Sequence, residues 1–376
     1  MGVVAVTSAA NHDRILFGQE WLKTKTPAEE VLIIGSTLAG ANEIARSLIR
    51  EKRAAFGYHR LSWGQFAATL ARPLSTVQRT VPLGGLGVQA VANRAIDKLS
   101  QVGGLGRYAG LTSGPGFARA IAKVTTELRL EQIKPDALAH VALDLCPLLQ
   151  AYEQELADHG FTDWPGVLQI AAAAVIESGF RHQLLGLPTL LLDVPLTTAS
   201  DIALLSALCA RSPEILVTVP AMDSVTIARL WSGLGAGIVD LDSPGASPSG
   251  LRKEEKGSLA RLQCHIFNDA MAPPEDKLDE QVVVFSAPGE SRECVEIVRR
   301  VLTLAHEGIA FDRMAVLLRS PPEYRSHLEE AFGRANVPVY FARGAVRPDP
   351  AGRAFHALLC CAAENLSARR FAEYLS

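Results

Sequence analysis

The chain has 376 residues, more than one hydrophobic core usually holds, so we expect two or three domains. Hydrophobic residues make up 48% and charged residues 20%, a balance that excludes an intrinsically disordered protein. The formal net charge of −3 excludes binding of nucleic acid by a uniformly basic surface, although a local basic cleft remains compatible with it.

Cysteine spacing and hydropathy bear on whether the protein holds a metal or enters a membrane. The six cysteines form no C-x-x-C pair, so we expect buried, reduced thiols that hold neither a metal nor an iron–sulfur cluster. No basic segment followed by an apolar run opens the chain, and no apolar run approaches the length of a membrane span. We therefore expect a cytoplasmic protein with no membrane partner.

Two strand–helix units open the chain. VVAVTSA (3–9) and AEEVLIIGS (28–36) are typical of buried strands. The segments that follow them, NHDRILFGQEWLKTK (11–25) and ANEIARSLIREKR (41–53), carry helical periodicity. Strands and helices that alternate with short connections predict a parallel sheet with right-handed crossovers.

Four helical segments then follow between residues 86 and 184 without strands, which predicts a helical insertion. The strand signal returns in LPTLLLDVPL (187–196) and EILVTVPAM (214–222), with a helix between them. Residues 243–258 and 272–281 have the composition of linkers.

A second strand–helix pattern occupies the last part of the chain. VVVFSAPG (282–289), MAVLLRS (314–320) and VPVYFA (337–342) are typical of strands. Helical segments are predicted between them, at residues 292–306 and up to Phe332.

The stretch GSTLAGAN (35–42) has two glycines at the spacing of the phosphate-binding loop G-x-x-x-x-G-K-[ST]. Ala41 and Asn42 stand where that loop has its lysine and its hydroxyl residue. Because the lysine reaches the phosphates and the hydroxyl holds Mg²⁺, an ordinary strand–helix turn is the favoured interpretation.

Asp193 follows the apolar run LLL, as the Mg²⁺-binding Asp of an NTPase strand does, although an Asp that caps a strand end is equally compatible. Val194 stands where a helicase-type ATPase has the Glu that activates water. Arg319, at the end of MAVLLRS, could meet a phosphate across a domain cleft or be an ordinary exposed residue.

Aromatic and basic residues are interleaved in FGYHRLSWGQF (56–66), a composition that suits stacking on single-stranded bases. The alternative interpretation is that these aromatic residues, Trp63 and Phe66 among them, lie in a core and anchor a helix. No G-x-S-x-G turn occurs, so the nucleophile elbow of a hydrolase is not indicated.

The order of these segments resembles superfamily 1 helicases of the UvrD type. It most resembles the AddB-type subunit of bacterial helicase–nuclease complexes, including its helicase-inactivated relatives. The likeness rests on a strand ending in GST, the motif LSWGQFAATLA, an insertion with LLQAYEQELADHGFTDWPGVL, and the LLLD and EILVTVP strands. It covers nearly the whole chain and is strongest over residues 282–341.

The resemblance implies an α/β fold with a RecA-like, parallel-sheet motor domain made of residues 1–85 and 185–270. Residues 86–184 would form an inserted all-helical subdomain, and residues 280–376 the first part of a second RecA-like domain. The pattern stops at FAEYLS before there are enough strands to close a second sheet. We therefore expect an amino-terminal fragment of a longer protein rather than a shortened one.

The resemblance also implies a degenerate nucleotide site. The family's phosphate loop falls at VTSAANHDRIL, with His12 at the lysine position and Asp13 at the Ser/Thr position. A histidine is largely neutral at pH 7, and an aspartate repels phosphates. Together with Val194 these residues indicate that ATP hydrolysis has been lost, so neither ATP nor Mg²⁺ is expected here. Asp193 and Arg319 are the other members of this degenerate site.

In the family the GST stretch touches single-stranded DNA, so Thr37, Ser62, Trp63 and Phe66 are the predicted DNA contacts. The implied partners are DNA and a motor helicase–nuclease subunit of the AddA type, in double-strand-break repair and recombination. A PD-(D/E)xK nuclease with Mg²⁺, often with an iron–sulfur cluster, belongs to a later part of the family's chain. Two alternatives remain, an interaction module with a decayed DNA surface and an active ATPase or helicase with an atypical loop.

Overall fold

The computed structural model describes residues 3–26, 29–52, 56–112, 114, 116–243, 257–266, 279–342 and 350–375. It divides into two compact units, Met1–Val282 and Val283–Ser376. The predicted linkers at 243–258 and 272–281 lie largely outside the described residues. Among the described residues, no helix combines the length and the apolar character needed to cross a membrane.

The described residues of the first unit form eight strands. They are β1 (Val3–Ser8), β2 (Val31–Gly35), β3 (Tyr58–Ser62), β4 (Val81–Pro82), β5 (Phe161–Thr162), β6 (Thr189–Leu192), β7 (Ile215–Pro220) and β8 (Gly237–Asp240). Six of them form one parallel sheet in the order β3–β2–β6–β7–β1–β8, which confirms the predicted parallel α/β fold.

The first unit's helices are named in chain order. They are α1 (Asn11–Lys23), α2 (Leu38–Lys52), α3 (Trp63–Gln78), α4 (Gly85–Gln101), α5 (Phe117–Leu130), α6 (Pro135–Leu138), α7 (Leu145–Asp158), α8 (Trp164–Ile176), α9 (Ala199–Cys209), α10 (Ser224–Leu234) and α11 (Ser258–His265). Helices α1 and α2 cover one face of the sheet, and α3, α8, α9 and α10 cover the other.

The central strands β2, β6 and β7 are largely apolar because both faces of the sheet are buried there. Alternate residues of one strand therefore belong to different cores. In β2, Leu32 and Ile34 face the core under α3, α8 and α9, whereas Ile33 faces the core under α1 and α2. All three are fully buried, which explains the unbroken apolar run in the sequence.

The insertion has a core of its own between α4, α5 and α7, centred on Ile96, Ile121 and Tyr152. Its base carries a two-residue parallel ladder between β4 and β5, so the predicted all-helical character is corrected to that extent. Helix α8 falls within the predicted insertion at residues 86–184, but it packs against α3 and α9 on the sheet. The reason is its small apolar side chains, such as those of Ala171 and Val175, which lie in the sheet's core.

The second unit contains α12 (Glu290–His306), α13 (Pro321–Arg334), α14 (Pro350–Ala363) and α15 (Ala368–Leu375). Helices α12 and α13 share a small core that includes Cys294, Val298 and Phe332.

The three strands predicted at residues 282–289, 314–320 and 337–342 are wrong as strands. None of the residues in these segments belongs to a strand or a ladder. A strand of a parallel sheet is buried on both faces, whereas Val284, Leu317 and Tyr340 are 81%, 94% and 87% exposed. The described part of this unit provides no second layer that could cover them.

Candidate functional site

The sheet brings most of the predicted site residues to one edge. His12, Thr37, Ser62 and Asp193 each lie at, or within a few residues of, the carboxyl end of a strand, and parallel strands end at the same edge. From β2 the chain moves outward to β3, and from β6 it moves the other way to β7. Open α/β sheets bind ligands at such points, where the direction of the connections reverses.

The connection between β1 and α1 is short. The strand ends at Ser8 and the helix begins at Asn11, so Ala9 and Ala10 alone join them. A phosphate-binding loop surrounds its ligand with the amides of a longer, glycine-rich turn. This connection has neither the length nor the glycines to do so.

A carboxylate of the chain itself lies against this connection. The Ala9 amide donates to Asp242 Oδ2 at 2.7 Å, and the Ser8 hydroxyl donates to Asp242 Oδ1 at 2.9 Å. Asp242 follows β8, the neighbour of β1 in the sheet. The amide next to the helix start, where an external anion would be favoured, thus already has an internal anion.

Asp193 is held by two partners at the end of β6. Its Oδ1 accepts hydrogen bonds from Arg14 Nε at 3.0 Å and from the Thr218 hydroxyl at 2.8 Å. Its Oδ2 accepts from Arg14 Nη2 at 2.9 Å, so the guanidinium and the carboxylate form a bidentate pair. The backbone of Asp193 is left-handed, with φ at 48°, and its amide donates to the Thr218 carbonyl at 3.1 Å.

Arg14 is 4% exposed and bonds to the chain on every side of its guanidinium. Besides Asp193, its Nη1 donates to the Ser8 carbonyl at 2.5 Å and its Nη2 to Asn11 Oδ1 at 3.3 Å. The guanidinium therefore links β1, α1 and β6 at the carboxyl edge. It is a fixed positive charge inside the position predicted for a nucleotide.

These residues do not fit a Mg²⁺–nucleotide complex. The guanidinium of Arg14 lies within hydrogen-bond distance of both Asp193 oxygens and would repel a divalent cation there. Asp242 would repel a phosphate at the β1–α1 connection. Val194 is 1% exposed and lies in the core, so its position does not present a side chain to bound water. His12 is exposed.

The GSTLAGAN stretch forms a strand–helix turn. A Cβ on Gly35 would lie 2.6 Å from the Thr37 carbonyl oxygen and 3.0 Å from the Ala41 amide, so this position requires glycine. A Cβ on Gly40 would meet the Thr37 hydroxyl at an ordinary 3.6 Å. The Thr37 hydroxyl is exposed and accepts a hydrogen bond from the Gly40 amide at 3.2 Å. The second glycine is therefore not a steric requirement of the turn.

Trp63 and Phe66 are core residues, which corrects their prediction as DNA contacts. Trp63 is 7% exposed and its Nε1 donates to Asp201 Oδ1 at 2.8 Å, while Phe66 is fully buried. Their rings stack on one another with centroids 5.7 Å apart. Stacking on a nucleic-acid base needs an exposed ring face, and neither ring offers one.

Ser62 is half-buried and begins helix α3. Its hydroxyl accepts from the Gln65 amide at 3.3 Å, and Gln65 Oε1 accepts from the Ser62 amide at 3.0 Å. This reciprocal capping box explains the sequence S-W-G-Q. Asp13 is buried in α1, and Arg319 is exposed in the second unit.

Sequence reasoning missed Arg14, Asp242 and Thr218. One feature of the sequence could have pointed to Arg14. It is a charged residue on the same face of α1 as the buried Gly18 and Leu22, so it had to find a partner inside the protein. Its partner Asp193 is 179 residues away, so the pair follows only from the strand order.

In the part of the chain that the structure describes, no group of three or more His, Cys, Asp or Glu residues is arranged to hold a metal ion. No protein-family model matches the sequence, and no curated protein is a significant match. The fold and the site thus define a class, a parallel α/β protein whose strand ends carry a cluster of internally paired polar residues. This cluster, hereafter the pocket, consists of Ser8, Arg14, Asp193, Thr218 and Asp242.

Proposed function

We propose that this chain is a helicase-like DNA-binding scaffold of the AddB type that does not hydrolyse ATP. It would hold a DNA strand while a motor subunit of the AddA type supplies ATP-driven movement in double-strand-break repair. The observation that carries this proposal is the Arg14–Asp193 pair, which stands where a motor domain needs a Mg²⁺-binding carboxylate. A parallel sheet of six strands with helices on both faces is consistent with a RecA-like domain.

Thr37 is the DNA contact that the geometry supports best. Its hydroxyl is exposed at the end of β2, beside the point where the connections of the sheet diverge. Hydroxyls and backbone amides at such positions contact phosphates without reading the base sequence. Ser62 ends the adjacent strand β3, and its hydroxyl can still donate a hydrogen bond while it caps α3.

Fluorescence anisotropy with labelled single-stranded DNA at low salt tests the DNA-binding part of the proposal. We expect salt-sensitive binding by the whole chain and a loss of about tenfold in affinity for Thr37→Ala, since a hydrogen bond to a charged group is removed. Thr37→Ser keeps the hydroxyl and should bind like the wild type.

Thr24→Ala is the matched control for this experiment. Thr24 is an exposed threonine at the end of α1, where its hydroxyl donates to the Trp21 carbonyl. Helix α1 runs back from the carboxyl edge of the sheet, so this position lies at the opposite edge. Equal binding by Thr37→Ala and Thr24→Ala would contradict the assigned contact.

Phosphate release in the presence of Mg²⁺, ATP and single-stranded DNA tests the loss of turnover. We expect no release above that of buffer, because Arg14 already neutralises Asp193 and the buried Val194 stands where the resemblance has the water-activating Glu. Steady DNA-stimulated release would instead support the alternative of an active ATPase with an atypical loop. The two-residue β1–α1 connection weighs against that alternative.

A protein-interaction module with a decayed DNA surface is the second candidate. The burial of Trp63 and Phe66 favours it, because two of the four predicted DNA contacts are unavailable, and so does the net charge of −3. It predicts a stable complex with the motor subunit in a pull-down together with no salt-sensitive DNA binding. Binding in the anisotropy experiment therefore separates the two candidates.

A further inference from the structure

We propose that Arg14 takes the place of a metal ion at the carboxyl edge of the sheet. Its guanidinium holds the surrounding oxygen atoms together in the absence of Mg²⁺ and nucleotide. This inference rests on the proposed function in one respect, namely that the pocket corresponds to a former nucleotide site. It goes further in assigning the residue that fills that site and the consequence of removing it.

The atoms around the guanidinium are oxygens, as they are around a hard cation. They are Asp193 Oδ1 at 3.0 Å, Asp193 Oδ2 at 2.9 Å, the Ser8 carbonyl at 2.5 Å and Asn11 Oδ1 at 3.3 Å. Carboxylate, carbonyl and amide oxygens are the ligands that Mg²⁺ and Ca²⁺ prefer in proteins. Here the N–H groups of an arginine satisfy them, and they come from three separate elements.

Among the residues that the structure describes, Arg14 is the cation that pairs with the Asp193 carboxylate. The remaining partner of its carboxylate is the hydroxyl of Thr218, which is a fully buried residue. Removing the guanidinium would leave a largely buried carboxylate facing the Ser8 carbonyl, and an uncompensated buried charge is strongly destabilising. A cation that entered the vacated space would then stabilise the folded protein by neutralising this carboxylate.

The hydrogen-bond donors at the β1–α1 connection are likewise satisfied by a charge of the chain itself. Asp242 accepts from the Ala9 amide and the Ser8 hydroxyl, so the chain supplies both a cation and an anion at adjacent strand ends. Ser8 contacts both of them, since its hydroxyl donates to Asp242 and its carbonyl accepts from Arg14. The two internal charges therefore bind one strand, β1, to β6 on one side and to the end of β8 on the other.

Thermal unfolding of the whole chain, followed by tryptophan fluorescence, tests this assignment. All four tryptophans, Trp21, Trp63, Trp164 and Trp231, lie in the first unit, so the signal reports the unit that contains the pocket. We expect the melting temperature of the wild type to be unchanged by millimolar Mg²⁺, with or without ATP. Arg14→Ala should melt about 6 °C lower or more, and Mg²⁺ should restore part of that loss.

The double variant Arg14→Ala/Asp193→Asn separates this role from that of an ordinary buried ion pair. Without the carboxylate there is no charge for Mg²⁺ to neutralise, so the double variant should show no response to Mg²⁺. Arg229→Ala is the matched control, because Arg229 pairs with Glu131 at 2.8 Å between α10 and α5 but is more than a third exposed. It should lose less stability and should not respond to Mg²⁺.

Three results would overturn the assignment. They are an Arg14→Ala protein that melts like the wild type, an Arg14→Ala protein that is destabilised but indifferent to Mg²⁺, and a wild type that Mg²⁺ and ATP stabilise. If Arg14→Ala does not fold, Arg14→Lys keeps a cation and should fold, melting below the wild type without a response to Mg²⁺. A Mg²⁺ response of Arg14→Lys equal to that expected for Arg14→Ala would overturn it as well.

Failure of this inference is distinguishable from failure of the proposed function. The DNA affinity of the wild type decides the scaffold function and does not depend on any Arg14 variant. The response of Arg14→Ala to Mg²⁺ decides the role of Arg14, whether or not the wild type binds DNA.

Discussion

The phenolic hydroxyl of Tyr152 donates a hydrogen bond to the carboxylate of Asp163 at 3.2 Å, and both side chains are buried. Asp163 also accepts from Arg129 Nε at 2.9 Å and caps α8 through the Gly166 amide at 3.0 Å. Burial, and then the negative charge of Asp163, raises the pKa of Tyr152 above its ordinary value, so the phenol stays protonated. This network joins α5 and α7 of the insertion to the start of α8, which packs on the sheet.

We expect Asp163→Ala to lower the free energy of unfolding by about 3–5 kcal/mol, because it leaves the guanidinium of Arg129 without its main partner. Tyr152→Phe removes one hydrogen bond and should cost about 1 kcal/mol. Urea denaturation followed by tryptophan fluorescence measures both. Tyr108→Phe is the control, since the Tyr108 hydroxyl accepts a hydrogen bond from the exposed side chain of Arg107. Equal losses for the three variants would contradict this network.

The two glycines of GSTLAGAN should respond differently to alanine. Gly35→Ala places a Cβ against the Thr37 carbonyl oxygen and should cost about 1–3 kcal/mol of unfolding free energy. Gly40→Ala meets no obstacle in α2 and should be neutral or stabilising by up to about 1 kcal/mol. Denaturant melts of the two variants give the comparison. A larger loss at Gly40 would show that the turn has the steric demands of a phosphate-binding loop.

We expect Trp63 to stabilise the fold rather than to contact DNA. Trp63→Ala removes a buried ring and its hydrogen bond to Asp201, so we expect a loss of about 3–5 kcal/mol. Trp231 is 66% exposed, and Trp231→Ala should change stability by no more than about 0.5 kcal/mol. Chemical denaturation followed by far-ultraviolet circular dichroism tests both without relying on tryptophan emission. DNA affinity per folded molecule should be unaltered by Trp63→Phe, and a large loss of that affinity would reinstate the stacking role.

Glu155 should make the insertion sensitive to acid. Burial favours its protonated form, but the hydrogen bonds and charges of Lys98 and Arg94 outweigh burial and lower the pKa of Glu155 below its ordinary 4.5. Its contribution to stability is therefore present above about pH 4.5 and is lost as the pH falls through the lower folded-state pKa. The difference in melting temperature between the wild type and Glu155→Gln should shrink on going from about pH 7 to about pH 3.5.

Glu127→Gln is the control for this acid sensitivity. Glu127 is 62% exposed and its pair with Lys123 spans one helical turn at the surface, so the variant should behave like the wild type at both pH values. A difference between wild type and Glu155→Gln that stays constant with pH would contradict the assigned ion pairs.

In the first unit, the pattern of apolar residues predicted the strands and helices that are buried on one or two faces. The apolar runs at Val31–Gly35 and Thr189–Leu192 predicted central strands, and the periodic segments between them predicted helices. Strand β3, Tyr58–Ser62, was missed because it lies at the edge of the sheet, where its residues are half-buried or exposed and mostly polar. Its aromatic neighbours suggested a binding surface, whereas they close the core beneath α3.

In the second unit, apolar composition predicted three strands that the described residues do not form. Residues 314–320 and 337–342 have the composition of buried strands, but a strand also needs paired neighbours and a cover on each face. Local sequence specifies neither of these conditions. The same limit applies to the candidate site, because connectivity placed Asp193 at a strand end while only the strand order brought Arg14 to it.

The strand order also governs when the sheet can form during synthesis. Strand β1 has no early neighbour, since Val3 pairs with Ile215 and Val4 with Gly237, whereas β2 and β3 pair as soon as both have left the ribosome. Until β6 and β7 emerge to fill the centre, the nascent chain carries separated, unsatisfied strand edges, a state that is prone to aggregation. Helical insertion residues made in that interval can fold locally and quickly. The pocket around Arg14 cannot be completed before Asp193 and Asp242 have been synthesised.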